Sequence, residues 1–138
     1  MNLPTILYTF EVDDFADFDE SEDTLLLKGE PLPGIGARCL LVPSMSGHQM
    51  YLIDRIWTIE SIEEINEGGW THALDISSDR VPNPMPWYDI TEYLLAEGLA
   101  QVVGAPAWNP SSSGFYDGAT RVVHKPTIEA ILRLLGFT

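Results

Sequence analysis

The chain has 138 residues, which is the length of one domain, and its 45% hydrophobic content is typical of a folded protein. It carries 21 acidic and 7 basic side chains, for a formal net charge of −14. Such a surface repels nucleic-acid phosphates and anionic membranes, so we expect neither direct nucleic-acid binding nor membrane association. A single cysteine, Cys39, excludes an internal disulfide, and no signal-peptide pattern opens the chain, so the expected location is the cytoplasm.

Short strands are predicted for the first third of the chain. Residues 5–12 are rich in Ile, Leu, Tyr and Phe, residues 24–28 form a short apolar run, and residues 37–43 end at a proline. The prolines and glycines of residues 31–36 predict a turn before the third strand.

Residues 49–65 are ambiguous between helix and strand. On a helix their apolar side chains spread around most of the circumference, whereas β-branched and aromatic density favours a strand. A bulge near Glu60 and Ser61 would bring Ile62 back into phase with Ile59. Residues 66–69 then predict a hairpin loop, followed by a return strand over residues 70–77 whose apolar and polar side chains alternate.

Two helices are predicted in the second half. Asp89 and Glu92 resemble a capping box, and Gly98 would end that helix. The second helix begins near Pro126, ends at Gly136 with Phe137 packing back, and places four apolar residues on one face: Ile128, Ile131, Leu132 and Leu135.

Short strands at residues 101–103 and 120–124 are predicted between the two helices. Together the elements predict a single α+β domain over residues 1–138. Its architecture is a small twisted antiparallel sheet or an open SH3-like barrel, with two helices of which the second is C-terminal.

Residues 1–23 hold eight acidic and no basic side chains, whereas residues 101–138 carry a net charge of +1. We interpret residues 11–23 as a docking surface for a basic partner, because aromatic rings among the carboxylates add contact area. A solvated acidic loop is the alternative, and a calcium loop is disfavoured because the EF-hand glycine and closing glutamate are missing. The proposed docking residues are Glu11, Asp13, Asp14, Phe15, Asp17, Phe18, Asp19, Glu20, Glu22 and Asp23.

A second candidate surface is aromatic. The prolines of residues 82–88 predict a stiff, extended segment that ends in Trp87 and Tyr88, and Trp108 lies in a later loop. Rigid loops bearing Trp and Tyr suit partner binding. The alternative interpretation is that these rings cap the core beneath long loops.

No pattern of catalytic or metal-binding residues is found in the sequence. The spacings of His48, His72 and His124 match no zinc motif, and His72 is interpreted as a packed histidine. Cys39 is interpreted as a buried, inert thiol. Asp54 and Asp75 would form a carboxylate pair if they faced each other, but any two of 21 acids can be paired this way. We therefore expect no catalytic residues, no metal and no cofactor.

These observations predict a non-enzymatic acidic module for protein–protein interaction. Its carboxylates would occupy the basic, nucleic-acid-binding surface of a partner, as immunity proteins and phage anti-defence proteins do. The alternative is a structural subunit of a viral particle or other large assembly, including a homo-oligomer. A small enzyme is the third possibility.

Overall fold

The computed structural model describes residues 4–12, 16–19, 22–28, 33–43, 52–99, 101–102, 108–109, 119–122 and 125–137. The elements in chain order are β1 (Leu7–Val12), β2 (Ala16–Asp19), β3 (Thr24–Leu27), β4 (Arg38–Pro43), β5 (Leu52–Glu67), β6 (Trp70–Pro86), α1 (Trp87–Ala96), β7 (Gln101–Val102), β8 (Trp108–Asn109), β9 (Ala119–Val122) and α2 (Lys125–Leu134).

Seven of the strands form one mixed sheet in the order β2-β3-β6-β5-β4-β1-β9, and β7 and β8 pair separately. The α+β prediction with two helices, one of them C-terminal, is confirmed. The prediction of an antiparallel sheet is wrong at β1, which runs parallel to β4. A parallel pair needs a connection that crosses over, and the β2–β3 hairpin lies within that connection.

An SH3-like barrel is not confirmed, because the sheet is open. One residue pair, Val12 with Ala16, joins β1 to β2. A single pair does not make the continuous ladder that closes a barrel.

Both faces of the sheet are buried, which explains the consecutive apolar residues of its central strands. In β4, Leu40 and Val42 pack beneath the helices, whereas Cys39 and Leu41 point into a second core on the opposite face. The helix-side core comprises Leu7, Leu40, Val42, Ile53, Ile56, Val81, Trp87, Ile90, Leu94, Ile128, Ala130, Ile131, Leu132 and Leu135. The opposite core comprises Tyr8, Phe10, Leu25, Leu27, Cys39, Leu41, Trp57, Ile59, Leu74 and Ile76.

The two long strands β5 and β6 form the central hairpin. The strand interpretation of residues 49–65 is confirmed from Leu52 onward, and the register shifts between Ile59 and Ser61 as the bulge prediction required. The bulge places Ile62 on the same core as Ile59. The connection is shorter than the predicted loop at residues 66–69, because Asn66 and Glu67 belong to β5. It is a two-residue turn at Gly68 and Gly69, whose φ angles of 61° and 88° are those of a type I′ turn.

Helix α1 begins earlier than the capping pattern predicts. Pro86 occupies the N-cap position without a side-chain cap, so Asp89 is not the N-cap but an acidic residue within the first turn. A carboxylate there still faces the positive end of the helix dipole. The end of α1 is confirmed: Gly98 has φ 73°, and the Leu99 amide donates to the Leu94 carbonyl in a Schellman motif.

Helix α2 is confirmed, with all four predicted core residues buried. The extended 82–86 segment of β6 approaches its C-terminal end. The Asn83 amide N–H donates to the Leu135 carbonyl at 2.9 Å, and Asn83 Nδ2 donates to the Leu134 carbonyl at 2.7 Å. These bonds satisfy helix carbonyls that lack partners within the helix, and they attach α2 to the sheet.

Candidate functional site

The acidic segment 11–23 is partly strand in the structure. Glu11 lies in β1, and β2 pairs Asp17 with Leu26 and Asp19 with Thr24. No strand was predicted here, because Asp is disfavoured in strands; the ladder to β3 overrides that preference. Glu22 and Asp23 are exposed in the turn that joins β2 to β3. The remaining predicted residues of the segment, Asp13, Asp14, Phe15 and Glu20, lie outside the described residues, and Phe18 is described as backbone in β2.

Strand register extends this acidic segment across the sheet. Asp75 of β6 pairs with Thr24 on one side and with Ser61 on the other, and Ala73 pairs with Leu26 and Glu63. The alternate positions, Leu25, Leu74 and Ile62, pack on the core opposite the helices, so Asp75 and Glu63 lie on the helix-side face, where both are exposed. Two rows of paired backbone positions on that face are Asp19–Thr24–Asp75–Ser61 and Asp17–Leu26–Ala73–Glu63.

Acidic side chains are concentrated on the β5–β6 hairpin, and no Lys or Arg occurs between Arg55 and Arg80. Six acids of this stretch are exposed, and one of them, Asp79, pairs with Arg38. We call the other five the acidic hairpin: Glu60, Glu63, Glu64, Glu67 and Asp75. This group was not among the site residues predicted from the sequence, because its members lie on two strands that the hairpin turn brings together. A run of 24 residues without a basic side chain is the signal that would have found it.

Two serines hold carboxylates of the acidic hairpin across the strands. Ser61 Oγ donates to Asp75 Oδ2 at 2.8 Å, and Ser77 Oγ donates to Glu60 Oε1. Both bonds lie at the bulge, where the two carboxylates come from neighbouring strands. The hydroxyl groups restrict the rotamers of these carboxylates, so less conformational entropy is lost when a cation binds them.

Asp54 and Asp75, considered above as a carboxylate pair, do not face each other. The hairpin turn sets a register that places Ser61 opposite Asp75, whereas Asp54 lies near the start of β5. Because strand register is set by the turn and the buried face, it could not be read from the acidic residues alone.

The residues of the predicted aromatic surface lie in different environments. Trp87 is only 4% exposed and packs in the helix-side core, as the core-capping alternative expected, so its ring does not lie on the surface. Tyr88 is 40% exposed, and its hydroxyl donates to the Glu92 carboxylate, which raises the pKa of Tyr88. Trp108 is described as backbone in β8, where it pairs with Val102.

The three histidines are the remaining candidate residues from the sequence. His72 is half-buried with Nδ1 2.9 Å from Thr71 Oγ1, and His48 and His124 lie outside the described residues. Among the residues that the structure describes, no group of three or more His, Cys, Asp or Glu side chains is placed to hold a metal ion.

Cys39 is fully buried, and burial raises the pKa of its thiol because the thiolate loses its hydration. We expect the native protein to react very slowly at pH 8 with an aromatic disulfide that releases a yellow thiolate, which is measured by absorbance. One thiol should react after the protein is unfolded in guanidinium. Rapid stoichiometric reaction of the native protein would contradict this burial.

A separate, open groove of about 510 Å³ lies beside the start of β1. Exposed Ile6 and Ile35 line it together with Arg38, which pairs with Asp79 at 3.2 Å. The groove lining contains no acidic side chain, so the groove does not continue the acidic hairpin.

No known protein family, curated protein or solved structure matches the chain. Neither of the two helices in the described residues is long and apolar enough to cross a membrane. The fold and site define an α+β protein whose central hairpin presents carboxylates on paired strands.

Proposed function

We propose that this protein is a non-enzymatic interaction module that occupies the basic, nucleic-acid-binding surface of a partner protein. The observation that carries the proposal is the acidic hairpin, which presents five exposed carboxylates in a stretch without Lys or Arg. The strand register adds the backbone positions of Asp17 and Asp19 to the same rows. The predicted docking segment therefore lies in register with Asp75 and Glu63, on one face of the hairpin.

The arrangement suits a surface that normally binds phosphates. Successive outward residues of a strand are about 7 Å apart, and hydrogen-bonded strands are about 4.8 Å apart, so carboxylates are held at short, regular intervals. A net charge of −14 also accelerates encounter with a basic partner. Immunity proteins and anti-defence proteins of phages use this kind of competition, and a single cysteine fits their reducing compartment.

Salt dependence tests the proposal. An arginine-rich peptide labelled with a fluorophore serves as the probe, and fluorescence anisotropy measures its dissociation constant. We expect affinity to fall about tenfold or more between about 50 mM and about 500 mM salt, because the Debye length shortens from roughly 14 Å to roughly 4 Å. We also expect the protein to displace the peptide from a DNA duplex. Binding that is indifferent to salt, or a duplex that keeps its peptide, would overturn the proposal.

The sheet edge supports the second candidate function, a subunit of a larger assembly. Within the described strands, β9 is the last in the order and pairs with β1 alone. An edge strand can pair with a strand of a neighbouring copy. Light scattering coupled to size exclusion distinguishes the candidates: a defined oligomer supports the assembly, and a monomer across the concentration range contradicts it.

A further inference from the structure

Trp70 stands at the turn of the central hairpin, where it opens β6 and pairs with Glu67. Its ring is half-buried and carries a cation: Lys28 Nζ lies 4.7 Å from the ring centroid. Lys28 comes from outside the hairpin, directly after β3, and its side chain is exposed. The aromatic face is thus a cation-binding position that the protein's own lysine occupies.

The surroundings of the ring favour a cation. Glu67 is its cross-strand neighbour, Glu64 lies opposite His72 two residues along β6, and both glutamates are exposed. The ring quadrupole and the carboxylates attract positive charge together. The ring also provides contact area that carboxylates alone do not provide.

We propose that Trp70 is the anchor on which an arginine side chain of the basic partner stacks, displacing Lys28. This inference rests on the proposed function, because it assigns a particular contact on the acidic hairpin, beside Glu64 and Glu67. A guanidinium group is planar and more weakly hydrated than an ammonium group, so it replaces Lys28 on the ring with a gain in stacking. Lys28 then returns to water, where its charge is fully hydrated.

The exchange makes Lys28 an internal competitor. When Lys28 occupies the ring for part of the time, the affinity for a partner is multiplied by the fraction of time for which the ring is free. Removing Lys28 therefore strengthens binding, and removing the ring weakens it. If Lys28 acted only through its charge, removing it would still strengthen binding, but removing the Trp70 ring would leave binding unchanged.

The test compares three variants in binding an arginine nonapeptide at low salt. Trp70→Leu is expected to weaken binding about three- to fivefold, and Trp70→Phe to have an intermediate effect, because phenylalanine keeps a smaller ring. Lys28→Gln is expected to bind about threefold more tightly than Lys125→Gln. Lys125 is the matched control, since it is exposed on α2 and its loss changes the net charge equally.

The outcomes separate this inference from the proposed function. Salt-dependent binding by the unaltered protein, with Trp70→Leu and Trp70→Phe both unchanged, overturns the anchor and leaves the proposed function standing. Equal affinities of Lys28→Gln and Lys125→Gln overturn the competition. Failure of the unaltered protein to bind the peptide overturns both. Thermal unfolding of each variant checks folding, and Trp70→Phe with Lys28→Gln carries the test if Trp70→Leu does not fold.

Discussion

Replacing the four glutamates of the acidic hairpin with glutamine is expected to weaken binding of an arginine-rich peptide by roughly 10- to 100-fold at low salt. Each exposed ion pair contributes about 0.2–1 kcal/mol, so four pairs together account for the expected loss. Glu60 and Glu63 lie on one face of the hairpin, and Glu64 and Glu67 lie on the other. Glutamine keeps the shape of the side chain and can still accept the hydrogen bond from Ser77 to position 60. The variant is Glu60→Gln, Glu63→Gln, Glu64→Gln and Glu67→Gln, and anisotropy measures its dissociation constant.

The helices offer a control with the same change in net charge. Exposed acids on their outer faces are neutralised as Asp89→Asn, Glu92→Gln, Glu97→Gln and Glu129→Gln. We expect this control to lose less than about threefold in affinity, because none of its charges belongs to the β5–β6 hairpin. Equal losses in both variants would show that net charge alone governs binding and would contradict a localised site.

Gly136→Ala is expected to destabilise the protein by about 2–4 kcal/mol, the largest effect of a single substitution proposed for this chain. Gly136 has φ 94°, and an added Cβ would lie 2.9 Å from Pro82 Cβ and 3.1 Å from the Asn83 amide nitrogen. Relieving these contacts moves the 82–83 segment and breaks its hydrogen bonds to the last turn of α2. Chemical denaturation measures the free energy of unfolding.

Gly98→Ala separates the two causes. Gly98 ends α1 in the same way with φ 73°, but an added Cβ there meets nothing within 4 Å. The cost of a left-handed backbone alone is about 1 kcal/mol. We expect Gly98→Ala to show that loss only, so equal losses in the two variants would mean that the approach of Pro82 contributes nothing.

Local patterns predicted the elements whose apolar residues face one core. Helix α2 has its four apolar residues on one face and a glycine at its end, so its position and buried side follow from periodicity and capping. The bulge between Ile59 and Ser61 was predicted for the same reason, because only a shift there returns Ile62 to the core.

Predictions that depended on partners distant in sequence were wrong. Asp89 resembled an N-cap, but α1 begins at Trp87 because that ring packs in the helix-side core. The strand at Ala16–Asp19 was missed because its residues have low strand propensity and its stability comes from pairing with β3. The antiparallel sheet failed at β1, since no local pattern distinguishes a parallel neighbour from an antiparallel one.

By itself, the sequence determined the net charge, the core-facing side of α2 and a hairpin connection within residues 66–69. These features depend on residue type and short-range geometry, which the chain carries locally. The tertiary structure alone decided where the charge lies. Strand register places the backbone positions of Asp17 and Asp19 in the same rows as Glu63 and Asp75, because pairing aligns positions far apart in the chain. Acids that are distant in sequence thus become neighbours across the sheet, which no count along the chain can reveal.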